Sequence, residues 1–217
     1  MINIHTHHLS ENKNHIIDIY NQYPWNFINN NSFYSIGIHP IFINTDNINT
    51  DLDEITTHLN DNKCVAIGEI GLDKLIAVDF NLQQNVFKQQ LIIADQFKKT
   101  VIIHCVRAYQ EILQIRKEMN LAIPFIFHGF NKNEQLLQQI LSNNCYPSFG
   151  KNLLNNPNLQ AIFAKISDDN FFLENDDSQI SIETIYQKAA ELKNTTTEEI
   201  VSITNHNFNR IFKQSIV

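Results

Sequence analysis

Two histidines one residue apart, His5-Thr6-His7, follow a short apolar lead, Met1-Ile2-Asn3-Ile4. Side chains at i and i+2 of a strand share a face, so the pair offers two nitrogen donors to one point. Neutral imidazole is the commonest protein ligand for zinc-like cations, but a site needs more donors than two. The chain offers four more, each in or just after a short apolar run. They are Glu69 in Ala66-Ile67-Gly68-Glu69-Ile70, His104 after Val101-Ile102-Ile103, His128 after Phe125-Ile126-Phe127, and Asp176 after Phe171-Phe172-Leu173-Glu174. Four imidazoles and two carboxylates suit one or two divalent metal ions with N/O ligation. Any one of these residues alone is more often a hydrogen-bonded core or surface group than a ligand. Their repeated placement at the ends of apolar runs sets the six apart, and burying them unpaired would be costly.

The elements that must position these donors are legible as apolar runs at 2–6, 15–20, 33–38, 64–70, 101–105, 124–128, 145–149 and 171–174. Most lack polar alternation, as strands buried on both faces of a parallel sheet do. Between them lie helical periodicities at 51–60, 80–98, 108–119, 134–141, 157–164, 182–192 and 197–212, with Asp79 and Thr197 as N-cap or first-turn residues. Alternation of this kind predicts an α/β fold, and eight runs predict a distorted TIM-type (β/α) barrel over residues 1–217, in a single domain. A seven-stranded or partly open variant fits the same pattern. The first units are abbreviated, because residues 9–32 leave little room for full crossover helices. In such a barrel the carboxyl ends of all strands converge, so donors far apart in sequence become neighbours.

Composition narrows the partners. The 217 residues are 43% hydrophobic and 18% charged, enough for a full core, and the net charge of −7 disfavours a generally basic nucleic-acid surface. A local cationic rim is compatible with it: Lys74, Arg107, Lys132 and Lys151 each follow a strand end or the Ser148-Phe149-Gly150 turn, and such a rim would focus a phosphate. Ordinary solvated loop cations are the other reading. Cys64, Cys105 and Cys145 form no CxxC pair, which predicts reduced thiols and a cytoplasmic location. No secretory leader, membrane span or obligate protein partner is expected. His39, ahead of Pro40, either lines the mouth and touches substrate or packs a turn. Asp73 is a helper or a turn carboxylate, Glu174 a group behind the ligands, and Trp25 a packing residue.

The chain resembles the TatD-type metal-dependent hydrolases of the amidohydrolase superfamily. The resemblance is carried by His5-x-His7, Gly37-Ile38-His39-Pro40, Gly68-Glu69-Ile70-Gly71-Leu72-Asp73, Gln84-x-x-Phe87-x-x-Gln90-Leu91, Ile103-His104-Cys105, His128-Gly129-Phe130, Ser148-Phe149-Gly150, Leu173-Glu174-Asn175-Asp176 and Asn207-Phe208-x-Arg210-Ile211-Phe212. It implies that His5, His7 and Asp176 hold one metal, that His104 and His128 hold a second, and that Glu69 bridges. It further implies a deoxyribonuclease or phosphodiesterase, with DNA or another phosphodiester as substrate. The chain departs from the family's usual pattern at Asn3, where an Asp is usual, at Asn175, where a Thr is usual, and at Val106, with Arg107 displaced by one. From the residue types, Asp176 is expected to act as general base beside the metal, with Glu69 setting the metal separation. Hydrolysis of a small-molecule amide or ester, and a degenerate barrel that only binds, are the competing readings.

Overall fold

Strands and helices alternate through residues 1–10 and 15–213, which the computed structural model describes. The strands are β1 (Ile2–Thr6), β2 (Ile17–Gln22), β3 (Phe33–Ile36), β4 (Cys64–Asp73), β5 (Thr100–Val106), β6 (Phe125–Phe127), β7 (Cys145–Phe149) and β8 (Phe172–Leu173). Their order in the sheet is their order in the chain. Strand β2 runs on to Gln22, past the apolar run, because its polar end is satisfied internally. The Gln22 amide donates to Ile28 O at 2.7 Å and accepts from Ile28 N at 3.1 Å. The helices include α1 (Ile48–His58), α2 (Phe80–Gln96), α3 (Tyr109–Glu118), α4 (Glu134–Leu141), α5 (Asn152–Asn155), α6 (Pro157–Lys165), α7 (Ile182–Lys193) and α8 (Thr197–Phe212). Asp79 caps α2 by accepting from Leu82 N, whereas α8 is capped by Thr196, leaving Thr197 in its first turn.

The chain divides into two compact units, Met1–Tyr20 with Phe127–Val217, and Asn21–Ile126, the divisions falling within β2 and β6. In the first unit β1 pairs in parallel with β2, β7 pairs in parallel with β8, and Thr6 pairs in parallel with Asp176 just beyond β8. Helix α8 buries Ile200, Thr204, Phe208 and Ile211, a stripe at helical spacing. From α7, the buried Tyr186 hydroxyl donates to Ile2 O at 2.8 Å and accepts from Ile2 N at 3.1 Å, with Thr204 Oγ1 2.9 Å away. That clasp fixes the start of the strand that carries His5 and His7.

In the second unit β3 pairs with β4 and β4 with β5, all parallel. All ten residues of β4 are buried. Gly71 allows the strands carrying Glu69 and His104 to approach: a Cβ there would lie 1.9 Å from His104 O, and its φ of +155° lies where side chains rarely sit. Helix α2 buries two glutamines on its apolar stripe, and each clamps a strand end. Gln83 accepts from Asp73 N at 2.8 Å and donates to Asp73 O at 3.0 Å; Gln90 does the same for Ile38 at 2.7 and 3.1 Å. Trp25, expected to pack, does so only in part: in the 3-10 turn that Pro24 opens (Pro24–Asn26) its indole stacks on Tyr23 and stays 44% exposed. Among the described residues no helix is long and apolar enough to cross a membrane.

Candidate metal centre

In the first unit the chain path itself assembles three donors. Asp176 N donates to His5 O and His7 N donates to Asp176 O, both at 3.1 Å, so Asp176 is threaded between the two histidines by backbone bonds. Asp176 sits at φ +55°, the left-handed region that short polar residues tolerate best. His5 Nε2 and His7 Nε2 are each 3.5 Å from the same oxygen, Asp176 Oδ1. Donors bound at about 2.0–2.1 Å in a tetrahedron stand roughly 3.3–3.4 Å apart, so this spacing matches the edge of a coordination shell. Two imidazoles and a carboxylate also form the N/O donor set that zinc, manganese or iron accepts. The residues therefore fit a divalent cation.

His128 belongs to the same unit. Its ring lies 4.6 Å from that of His5. Its Nδ1 is 3.4 Å from Oε1 of Glu174, a fully buried carboxylate that also accepts from Gly129 N at 2.6 Å. The carboxylate lies on the Nδ1 side of the ring, where metal-binding histidines commonly have one, although no hydrogen bond joins the two. Glu174 Oε2 has no hydrogen-bond partner among the described residues.

Two of the three departures from the family pattern, Asn3 and Asn175, meet here. Asn3 Nδ2 donates to Asn175 Oδ1 and to Asp18 Oδ1, both at 2.9 Å, and Asn175 N donates to Asn3 Oδ1 at 3.1 Å. Asp18 also accepts from Ser10 N at 2.7 Å and Ser10 Oγ at 2.9 Å. The buried amide of Asn3 thus ties the strand of His5 and His7 to the residue preceding Asp176. Asp18 was not singled out from the sequence. Its signal was a carboxylate inside an otherwise apolar run.

In the second unit Glu69 is the centre. His104 Nδ1 is 2.6 Å and His39 Nε2 3.5 Å from Glu69 Oε1, and the two rings lie 4.2 Å apart. His104 Nε2 is 3.3 Å from Asp73 Oδ2, so both nitrogens of His104 face carboxylates. His39, the N-cap of a 3-10 turn (Pro40–Phe42), accepts from Ile41 N through Nδ1 at 3.1 Å. With that lone pair engaged, neutral His39 carries its proton on Nε2 and donates toward Glu69. Its distances also admit it, with Glu69 and His104, to a three-residue cluster that could hold a metal ion. Of the two glutamines that hold the segments of Asp73 and His39, the sequence motif picked out Gln90 but took Gln84 where the structure uses Gln83, which was legible only as a polar residue on a buried stripe.

The four expected cations separate into two kinds. Lys74 pairs with Glu111, and Lys151 Nζ is 3.1 Å from Asp177 Oδ1. Partial burial pushes the Glu111 carboxyl up, but the Lys74 hydrogen bond and charge outweigh it and leave the group below its ordinary value. Lys132 and Arg107 are not paired with a carboxylate among the described residues, and Arg107 is set at a left-handed φ of +55°.

Comparison with known proteins agrees with this chemistry. The family model for TatD related DNase matches residues 2–213. A metal-dependent hydrolase of Bacillus subtilis, YabD, is 29% identical over 198 residues, covering 83% of this chain and 77% of that protein. The metal-dependent hydrolase YcfH of Escherichia coli is 24% identical over 199 residues, covering 84% and 74%. Among solved structures, the TatD homologue YjjV of Escherichia coli superposes with a TM-score of 0.83 at 19% identity, covering 98% of both chains. A TatD-family hydrolase from Entamoeba histolytica gives 0.75 at 18%, again covering 98% of both. These likenesses show the fold, an eight-stranded parallel α/β barrel of the TIM type.

Proposed function

The chain belongs to the TatD related DNase family and is a metal-dependent hydrolase, and from that premise we propose that it cleaves phosphodiester bonds in DNA. The observation that carries the reading is the pair of imidazole nitrogens, each 3.5 Å from one oxygen of Asp176. His5, His7 and Asp176 hold one divalent cation. Glu69 and His104 of the second unit and His128 of the first are the further donors on this reading, for one or two ions of magnesium, zinc or manganese. A bound divalent cation lowers the pKa of a water from about 15.7 to as low as about 7 and so supplies a nucleophile at neutral pH.

The chain's own residues do the rest. Asp176, held in register by backbone bonds to both histidines, takes the proton of the attacking water through its carboxylate. Glu174 lies on the Nδ1 side of the His128 ring, and His39 orients Glu69. Lys132 and Arg107 are the cations left to meet a phosphate, since Lys74 and Lys151 are neutralised by Glu111 and Asp177. The reaction takes place in the cytoplasm, where the three unbridged cysteines stay reduced.

The test is an activity panel on metal-reconstituted protein, comparing single- and double-stranded DNA, RNA, a nitrophenyl phosphodiester, and simple esters and amides, with His128→Ala as control. Turnover of the phosphodiesters that His128→Ala abolishes supports the reading. Turnover confined to esters or amides replaces it with small-molecule hydrolysis.

A further inference from the structure

Six large hydrophobic side chains are exposed among the described residues, and four of them, Trp25, Ile28, Ile41 and Phe42, come from one short stretch of the second unit. They are organised. Tyr23 and Trp25 stack with ring centroids 5.2 Å apart and planes 16° from parallel. Phe42 stands edge-on to both, at 5.3 and 5.8 Å. Trp25 is 44%, Phe42 48% and Ile41 50% exposed. Both supporting turns begin with proline, Pro24 and Pro40, which fixes the backbone under the rings. The cluster is continuous with the chemistry: Phe42 lies 5.7 Å from His39, whose Nε2 faces Glu69.

Flat aromatic surfaces held open to solvent beside a hydrolytic centre suit a flat π-system. On the phosphodiester reading of the preceding subsection, on which this step rests, we infer that Tyr23, Trp25 and Phe42 form a stacking platform for an unpaired base of a single-stranded nucleic acid. Charge argues for this occupant over a duplex. The protein carries a net charge of −7, and two of its four candidate phosphate-binding cations are tied up in ion pairs. A duplex offers mainly its phosphates and keeps its bases stacked on each other, whereas a single strand can spend its bases on aromatic rings. Stacking therefore supplies affinity that this surface does not draw from charge, and it biases the enzyme toward single-stranded or frayed ends.

Trp25 is the single tryptophan, so its fluorescence reports on this platform alone. The experiment titrates metal-free protein, kept from turnover by EDTA, with a single-stranded oligonucleotide and with an abasic strand of equal length and charge. The base-bearing strand quenches Trp25 and binds at least about tenfold more tightly than the abasic one. Phe42→Ala weakens that quenching binding about tenfold. In the metal-loaded enzyme Trp25→Ala raises KM for the strand by a similar factor, while Trp25→Phe, which keeps a ring, recovers most of it. Equal affinity for both strands, or hydrolysis of the strand with no change in fluorescence, overturns the platform and leaves the hydrolase reading intact. Saturable quenching by the base-bearing strand with no phosphodiester turnover upholds the platform and overturns that reading instead. A blue shift of Trp25 with rising protein concentration and no DNA, matched by a dimer in sedimentation, also overturns it, because a second copy then covers the rings.

Discussion

The two clusters of titratable groups are built from the same residue types and are held in different ways. Around Asp176 two imidazole nitrogens stand 3.5 Å from one carboxylate oxygen, and backbone bonds hold the three residues in register. Around Glu69 the side chains hold one another: His104 is at 2.6 Å, and His39 is locked by Ile41 N. The first is a donor set spaced for a cation. In the second, one member is already engaged, since His39 Nδ1 accepts from Ile41 N, and His104 stands between two carboxylates. Distance alone leaves the two clusters alike, and the hydrogen bond from Ile41 N to His39 is what separates them.

The largest effect that sharpens this contrast is at Asp176. Asp176→Ala removes the oxygen shared by His5 and His7 together with the proton acceptor, and turnover should fall on the order of 10²- to 10⁴-fold from the general-base loss alone. Bound metal is measured on the same sample. Full turnover at full metal occupancy would take Asp176 out of the chemistry.

Next comes metal content itself. His5→Ala should leave the first cluster unable to retain a cation through dialysis. His39→Ala removes only an orienting group, and losses behind a ligand are typically about 10- to 100-fold in affinity. Metal bound per chain, read by mass spectrometry over a series of free-metal concentrations, checks both. If His39→Ala strips metal as completely as His5→Ala, the distinction between a donor and an orienting group collapses.

A smaller effect is expected in the network that supports the first cluster. Asn3→Asp removes the amide that donates to both Asp18 and Asn175 and sets two carboxylates side by side in a buried place. Lost hydrogen bonds and like charges together should cost about 2–4 kcal/mol of stability. Asp18→Asn in the same chain should restore much of that loss. Urea unfolding of the four proteins in the cycle reads the coupling, and strict additivity would show that the two side chains do not work as a pair.

How far all this was legible follows from the same physics. Strands β1 and β7 and helices α4 and α8 have the bounds their hydrophobic pattern announces, because there the pattern and the hydrogen bonding end together. Strand β2 did not, since Asn21 and Gln22 are polar yet buried. The donors His5, His7 and Asp176 could be singled out because strand periodicity and strand ends are local properties. Asp18 and Gln83 could not, because their partners are set by contacts across the sheet and along a helix stripe. Trp25 was legible only in part for a similar reason: the sequence shows an indole in a short segment but not that its partners are Tyr23 and Phe42 and that it stays 44% exposed. His39 was left between two readings by sequence, and the bond from Ile41 N decides its tautomer.

The comparison also has a control, the opposite end of the strand that carries Glu69. There β4 begins with Cys64, fully buried, whose thiol is pushed up from 9.0 to about 12 chiefly by that burial, with Asp61 adding to the shift and Lys99 opposing it. The unfolded thiol ionises near 9.0, so between 9.0 and about 12 the unfolded chain has lost a proton that the folded chain keeps. Stability from this group is therefore complete below pH 9.0 and declines as pH rises toward about 12. The tyrosines pushed up by burial, Tyr34, Tyr109 and Tyr186, act in the same direction only above 10.0, which leaves the interval from 9.0 to 10.0 least mixed with them. Within that interval the wild-type protein should lose stability with a slope approaching about 1.4 kcal/mol per pH unit, relative to a Cys64→Ala variant that lacks the titration. Denaturant midpoints measured at closely spaced pH values give both curves. Parallel curves would mean that the thiolate is tolerated where β4 begins, and that the polar carboxyl end and apolar amino end of this strand differ less than their burial implies.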